Sequence, residues 1–300
     1  MITIPLVATD IFDTGWEFHL VDSNFFYPNY IADPFSPRFS ADARTLSINE
    51  IALDSDERLD ITAGTRFSLF SFRKSDNPDI GVQLDLWLTI PMFMEGGSND
   101  FLGMDGIYSL GLVISPTDWI TARLSRHHIC THAGDEIDTT ADGDVSIDYD
   151  PTPNFNSSIY VRDDFGVSLA IKPLNILNIP WMDDMLLLYG DYYFFWPGED
   201  PLGSRQIKPA RDAYSWYTVG AEIKTPELYG ARLFSAAHIS YWEELNWMPS
   251  YAFDFGLEIK GAVKGLTLRV AYNLYDGRSI INNFYNRRER FSGISISIDR

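Results

Sequence analysis

The 300-residue chain has a single cysteine, Cys130, so an internal disulfide framework and a thiolate zinc cluster are both excluded. Basic residues are few. Against 42 Asp and Glu stand 23 Lys and Arg, a formal net charge of -19. That balance argues against nucleic acid as a partner, because phosphate contacts need clustered cations. No linker rich in Pro, Gly or Ser, no clear repeat and no low-complexity tract divides the sequence, so one main domain is expected. Long apolar runs are missing too. The longest, such as Met185 to Tyr189, fall far short of the ~20 residues that a membrane helix needs. The opening Met1-Ile2-Thr3-Ile4-Pro5 has neither the basic start nor the apolar core of a secretory signal. The rest of the pattern asks for an exported protein, so the expectation is a chain that begins near its mature terminus.

What is present is alternation. Phe253, Phe255, Leu257, Ile259 and Val263 are separated by Asp254, Gly256, Glu258, Lys260 and Ala262. Successive side chains of a strand point to opposite faces, so this segment has one apolar and one charged face. Leu266, Leu268, Val270, Tyr272 and Leu274 repeat the pattern against Thr267, Arg269, Ala271 and Asn273. So do Val82 to Ile90, with Asp85 opposite, and Ile159 to Ile171, with Arg162, Asp164 and Ser168 opposite. A soluble β-sandwich with one wet face would alternate in the same way. Three further features favour a transmembrane antiparallel up-and-down β-barrel of the bacterial outer membrane. The strands approach the ~9–11 residues needed to cross a bilayer. Aromatics, 15 % of the chain, gather toward strand ends, as in Tyr192 to Trp196 and Trp242 to Trp247. Loop lengths alternate: Ala133 to Asn156, Pro197 to Asp212 and Gly277 to Glu289 are long, while Pro116-Thr117, Thr225 to Gly230 and Ala262 to Gly265 are short. Long loops on one side and short turns on the other mark outer-membrane barrels.

About twelve strands are expected, near residues 43–54, 60–73, 79–93, 104–115, 118–131, 157–172, 184–196, 213–224, 231–242, 250–261, 266–276 and 290–298. Residues 43–300 then form the barrel, and residues 1–42 a periplasmic or plug segment, too rich in aromatics (Trp16, Phe25, Phe26, Tyr27) for a disordered tail. The closing strand keeps Gly293, Ile296 and Ile298 in phase but ends without an aromatic.

Tyr30-Ile31-Ala32-Asp33-Pro34 with Pro37-Arg38-Phe39, His128 to Glu136, Val161-Arg162-Asp163-Asp164, and Tyr275 to Ser279 with Phe284 occur in that order along the chain. In these segments the sequence resembles an uncharacterised family of bacterial outer-membrane β-barrel proteins, known only as a domain of unknown function. It departs from the family pattern at Cys130-Thr131, at Ala133 and at Asn282-Asn283. The resemblance implies a barrel and no activity.

Three of the five histidines fall in Ser125-Arg126-His127-His128-Ile129-Cys130-Thr131-His132, with Asp135 and Glu136 just beyond. A hydrolase reading takes Ser125 or Thr131 as nucleophile, His127, His128 or His132 as base and Asp135 as orienter. The competing reading is a hydrogen-bonded network that holds a long loop. Cys130 reads as a small packed residue. No metal site is expected. The acidic loop with Asp138, Asp142, Asp144, Asp148 and Asp150 lacks the EF-hand ligand order, which leaves at most loose Ca²⁺ binding. Arg278, Arg287, Arg288 and Arg290 are expected to meet lipopolysaccharide phosphates or to neutralise the acidic loop. Arg162, Asp164, Lys172, Glu222, Lys224, Asp254, Glu258, Lys260 and Arg269 are expected to line the lumen. The functional expectation is a non-enzymatic barrel, either a narrow channel or a structural and surface-interaction protein, whose partners are outer-membrane lipids and lipopolysaccharide. The alternatives are an outer-membrane lipid hydrolase and a soluble β-sandwich.

Overall fold

The computed structural model describes residues 6–10, 15–22, 24–51, 55–97, 100–134, 160–195, 215–263 and 265–299. Two short strands come first, β1 (Leu6–Asp10) and β2 (Trp16–Leu20). Then follow β3 (Phe39–Asn49), β4 (Glu57–Lys74), β5 (Asn77–Glu95), β6 (Phe101–Thr117), β7 (Ile120–Ala133) and β8 (Val161–Ile171). The second half holds β9 (Leu186–Phe195), β10 (Trp216–Lys224), β11 (Ala231–Trp242), β12 (Pro249–Val263), β13 (Leu266–Arg278) and β14 (Arg288–Asp299).

From β3 to β14 each strand pairs antiparallel with its neighbour in sequence, and β14 pairs back to β3 from Glu289↔Asn49 to Ile298↔Phe39. The sheet is a closed twelve-stranded antiparallel barrel. Closure removes the free edges that would otherwise leave backbone groups without partners in lipid. The hairpin β1–β2 lies outside the ring. It adds to the end of β4, where Trp16↔Lys74 and Leu20↔Phe70 are paired, beyond the point at which β3 begins opposite Ala63.

The faces are inverted relative to a soluble protein. On β5 the buried row is Gln83, Asp85, Trp87 and Thr89, while Leu88 is 37 % exposed. On β12 Asp254 and Glu258 are buried while Phe253, Phe255 and Leu257 are exposed. Contiguous apolar surface of this extent does not persist in water. A soluble sandwich would bury these apolar rows, so that alternative is overturned. Among the described residues no helix is long and apolar enough to cross a membrane; the strands supply the apolar shell instead.

The strand ends Lys74 and Asn77, Thr117 and Ile120, Ile171 and Leu186, Lys224 and Ala231, and Val263 and Leu266 share one rim, here called inner; Asn49 and Glu57, Glu95 and Phe101, Ala133 and Val161, Phe195 and Trp216, Trp242 and Pro249, and Arg278 and Arg288 share the outer rim. The aromatic clusters divide between the two faces. Tyr192, Phe194, Tyr251 and Trp247 are exposed on the outside, whereas Tyr193, Trp216 and Trp242 are buried and stack at 4.0 and 4.4 Å between ring centroids. The same two-residue period that makes an outer belt also delivers the alternate rings inward.

Candidate functional site

Two places carry chemistry: the lumen and a polar cluster on the outer face of β7 and β8.

The lumen is held by ion networks. Near the inner rim Glu258 accepts from Arg232 at 2.5 Å and Arg269 at 2.7 Å, with the Lys224 ammonium 3.7 Å away and Arg269 also bound to Asp299 at 2.6 Å. At mid-height Asp85 pairs with Arg123 at 2.9 Å and Arg66 at 3.4 Å. Toward the outer rim Arg162 binds Asp164 at 2.7 Å and Glu244 at 3.4 Å, while Arg58 bridges Asp60 and Glu289, each at 2.8 Å. Glu244 sits on a short turn outside the strands. Burial raises its carboxyl from the ordinary glutamate value, against the pull of Arg278 and Arg162.

Residues 24–38 run through this interior. The Phe26 amide donates to the Gln83 side chain at 3.3 Å, and the Ile31 amide to the Glu222 carboxylate at 2.7 Å. The Tyr27 and Tyr30 hydroxyls donate to Asp191 at 3.3 and 3.1 Å, and Tyr30 stacks on Tyr189 with centroids 3.6 Å apart. Arg66 donates to the Tyr27 carbonyl at 2.6 Å. Gly64 permits the close approach, because a Cβ there would lie 2.8 Å from the Arg38 amide nitrogen. A cavity of about 70 Å³ remains, bounded by Tyr27, Tyr30, His127, Tyr193, Trp216 and Trp242 among others. It has room for a few water molecules.

Of the expected lumen residues, Arg162, Asp164, Glu222, Asp254 and Glu258 are buried inward, and Lys224 and Arg269 join the Glu258 network. Lys172 lies elsewhere: it sits in an inner connection and pairs with Asp184 at 2.7 Å. Lys260 follows Glu258 in the same register on β12, opposite Thr267, and is exposed at the inner rim, 4.0 Å from Glu227. The arginine group also divides. Arg278 does not face lipid: it is buried, 3.6 Å from Glu244, with its guanidinium 4.2 Å from the centre of the Trp242 ring. Arg288 and Arg290 are exposed, and both bind Asp276, at 2.8 and 2.6 Å. Arg287 is half-buried beside them at the outer rim.

The expected Ser/His candidates divide between the two faces of β7. Ser125, His127 and Thr131 are buried toward the lumen, while His128 and His132 lie on the opposite face. The strand pleat separates them, since neighbours in a strand point to opposite sides. His127 lies among Trp87, Tyr193 and Trp216, with ring centroids 5.6, 5.3 and 5.8 Å away. Strand β7 keeps unbroken register with β8 from Ile120 to Cys130. Asp135, Glu136 and the acidic loop lie outside the described residues.

A different group comes together instead. His128 and Cys130 share the outer face of β7, and Asp163 lies across from His128 on β8. The His128 Nδ1 is 3.1 Å from an Asp163 carboxylate oxygen, and the Arg126 guanidinium 3.5 Å from the same oxygen. The Tyr108 ring stacks on His128 at 4.7 Å. Cys130 is half-buried rather than packed away. Its thiol donates to the Gly106 carbonyl at 3.4 Å. A Cβ at Gly106 would stand 2.9 Å from that sulfur, so glycine leaves the thiol its space. Sequence reading missed Asp163 because the long connection after β7 separates it from His128; only strand register joins them. Among the described residues no group of three or more His, Cys, Asp or Glu is arranged to hold a metal.

Solved structures share this architecture. Outer membrane phospholipase A from Escherichia coli superposes with a TM-score of 0.52 at 14% identity, covering 88% of this chain and 93% of that one. The fold is that of an outer-membrane barrel. The Salmonella typhi outer membrane phospholipase dimer with bound calcium gives 0.53 at 12% identity, with 91% and 94% covered. The NanC porin gives 0.45 at 11% identity, with 86% and 98% covered. No family model and no curated protein matches the sequence.

Proposed function

We propose that this protein is a non-conducting barrel of the bacterial outer membrane that acts at its outer surface rather than through its lumen. The observation that carries the reading is the filled interior. Residues 24–38 hydrogen-bond to side chains on β5, β9 and β10, and the cavity they border is about 70 Å³. A twelve-stranded ring is wide enough for a channel, so its filling by buried, paired groups is a design against conduction. The same lumen favours a closed barrel over the narrow-channel version of this role. Its partners, in this reading, are outer-leaflet lipids. Exposed Arg288 and Arg290 at the outer rim fit lipopolysaccharide phosphates. The likeness to the unnamed barrel family belongs to the same proposal.

Planar-bilayer recording tests it. Folded protein, verified by heat-modifiable migration, is expected to give no steady ionic current. Stable conductance steps from the same preparation would overturn the closed-lumen reading.

A further inference from the structure

The outer face of β7 and β8 carries charge where a barrel normally carries only apolar side chains. On β12 five successive outward positions are apolar: Tyr251, Phe253, Phe255, Leu257 and Ile259. They cover ~27 Å of strand at the usual rise. On β7 only Ile120, Ala122 and Leu124 do so before Arg126, His128 and Cys130 begin, a run of ~13 Å. On the flanking strands Leu110, Leu112, Val167 and Leu169 remain exposed and apolar. Polar groups on a lipid-facing surface are costly and mark function by default.

We propose that Cys130 and His128, positioned by Asp163, form a nucleophile site that hydrolyses ester-linked acyl chains of outer-leaflet lipids. The inference does not depend on whether the lumen conducts. A carboxylate on Nδ1 fixes the tautomer and leaves Nε2 as the basic nitrogen of the ring. The strand supplies the second relation: His128 and Cys130 are two residues apart on one face of β7, the spacing at which side chains of a strand are same-face neighbours. The apolar strip below them suits acyl chains, and the polar rim above suits a headgroup. Arg126, with its side chain 63 % exposed, stands next to the carboxylate on that rim and can hold a lipid phosphate.

The chemistry balances with water alone as co-reactant. Nε2 of His128 takes the thiol proton, and the thiolate attacks the ester carbonyl. The carbon–oxygen bond to the glycerol or sugar breaks, and the departing oxygen receives the proton from His128. Water, deprotonated by His128, then attacks the thioester. The carbon–sulfur bond breaks, the fatty acid leaves and the sulfur recovers its proton. Asp163 touches no substrate; it positions the ring.

The test uses the full chain folded in detergent, with folding scored by heat-modifiable migration. One arm presents vesicles of phosphatidylethanolamine and phosphatidylglycerol, the other purified lipopolysaccharide; mass spectrometry reads released fatty acid. Wild type is expected to release fatty acid from one or both. Cys130→Ala and His128→Ala should each lose about a hundredfold or more. Asp163→Asn should lower kcat while leaving KM in place, which a purely structural role would not do. The arm that responds identifies the lipid. An independent reading is the rate of Cys130 alkylation by iodoacetamide near pH 7, expected to fall on the order of tenfold in His128→Ala. Equal release by wild type and Cys130→Ala, or no release from either lipid by folded wild type, would overturn the proposal. So would an alkylation rate indifferent to His128, should the variants fold too poorly for turnover.

Discussion

Glu258 shows what a single side chain does in this lumen. It is fully buried and faces three cations, Arg232, Arg269 and Lys224. Removing its charge strips Arg232 of its carboxylate and leaves Arg269 and Lys224 to Asp299 and Glu222 alone, and breaking a buried pair from one side typically costs about 3–5 kcal/mol. Glu258→Gln should therefore lower stability by roughly that amount, read from urea unfolding by tryptophan fluorescence in lipid vesicles. An unchanged midpoint would mean that water, not protein, solvates this network. Glu258 was legible in the sequence because it interrupts an apolar row at every second place. Arg278 was not. It terminates β13, where alternation yields to a loop, and a buried Glu244 on another connection turns it inward.

At the scale of elements, the barrel strands fall within a few residues of those read from the sequence, because lipid imposes apolarity at alternate positions and turns must be polar. The path of residues 24–38 is another matter. Tyr30 meets Asp191 and Ile31 meets Glu222, contacts that no local pattern announces. The His128–Asp163 pair was hidden for the same reason, while Asp135 stood close in sequence and drew attention instead. The segment is tied at its inner end by Asp22, which pairs with Arg73 and accepts from the Ser71 hydroxyl at 2.6 Å. Burial raises the Asp22 carboxyl, but Ser71, the Asn24 amide and Arg73 outweigh it and hold the group below its ordinary value of 3.8. A carboxyl lowered on folding contributes stability that is complete above 3.8 and is lost as the pH falls through the lowered folded value. Hydrogen exchange in residues 24–38 should therefore keep the same protection from pH 7 down to about 5, and Asp22→Asn should reduce it at neutral pH. Protection indifferent to Asp22→Asn would place the anchor elsewhere along the segment.

For the whole molecule, the inverted faces define how stability must depend on depth. Along β12 the outward row runs from Tyr251 near the outer rim through Phe255 to Ile259, while the inward row holds Asp254 and Glu258. If lipid is the solvent of the outer row, an arginine costs most at its centre. The expected penalty is about 2–4 kcal/mol at the bilayer midplane and about 0–1 near the interface. Phe255→Arg should thus destabilise far more than Tyr251→Arg. Phe255 also packs on Tyr272, with centroids 5.3 Å apart, so part of its loss is ordinary packing. Phe255→Ala and Tyr251→Ala supply the subtraction, leaving the charge effect alone at each depth. Unfolding in vesicles of matched thickness measures all four variants. A charge penalty equal at both positions would be that of a protein surrounded by water on this face. The lipid face would then have to be sought elsewhere, and the exposed Leu257, Val270 and Ile296 on β12 to β14 would have no solvent that accounts for them.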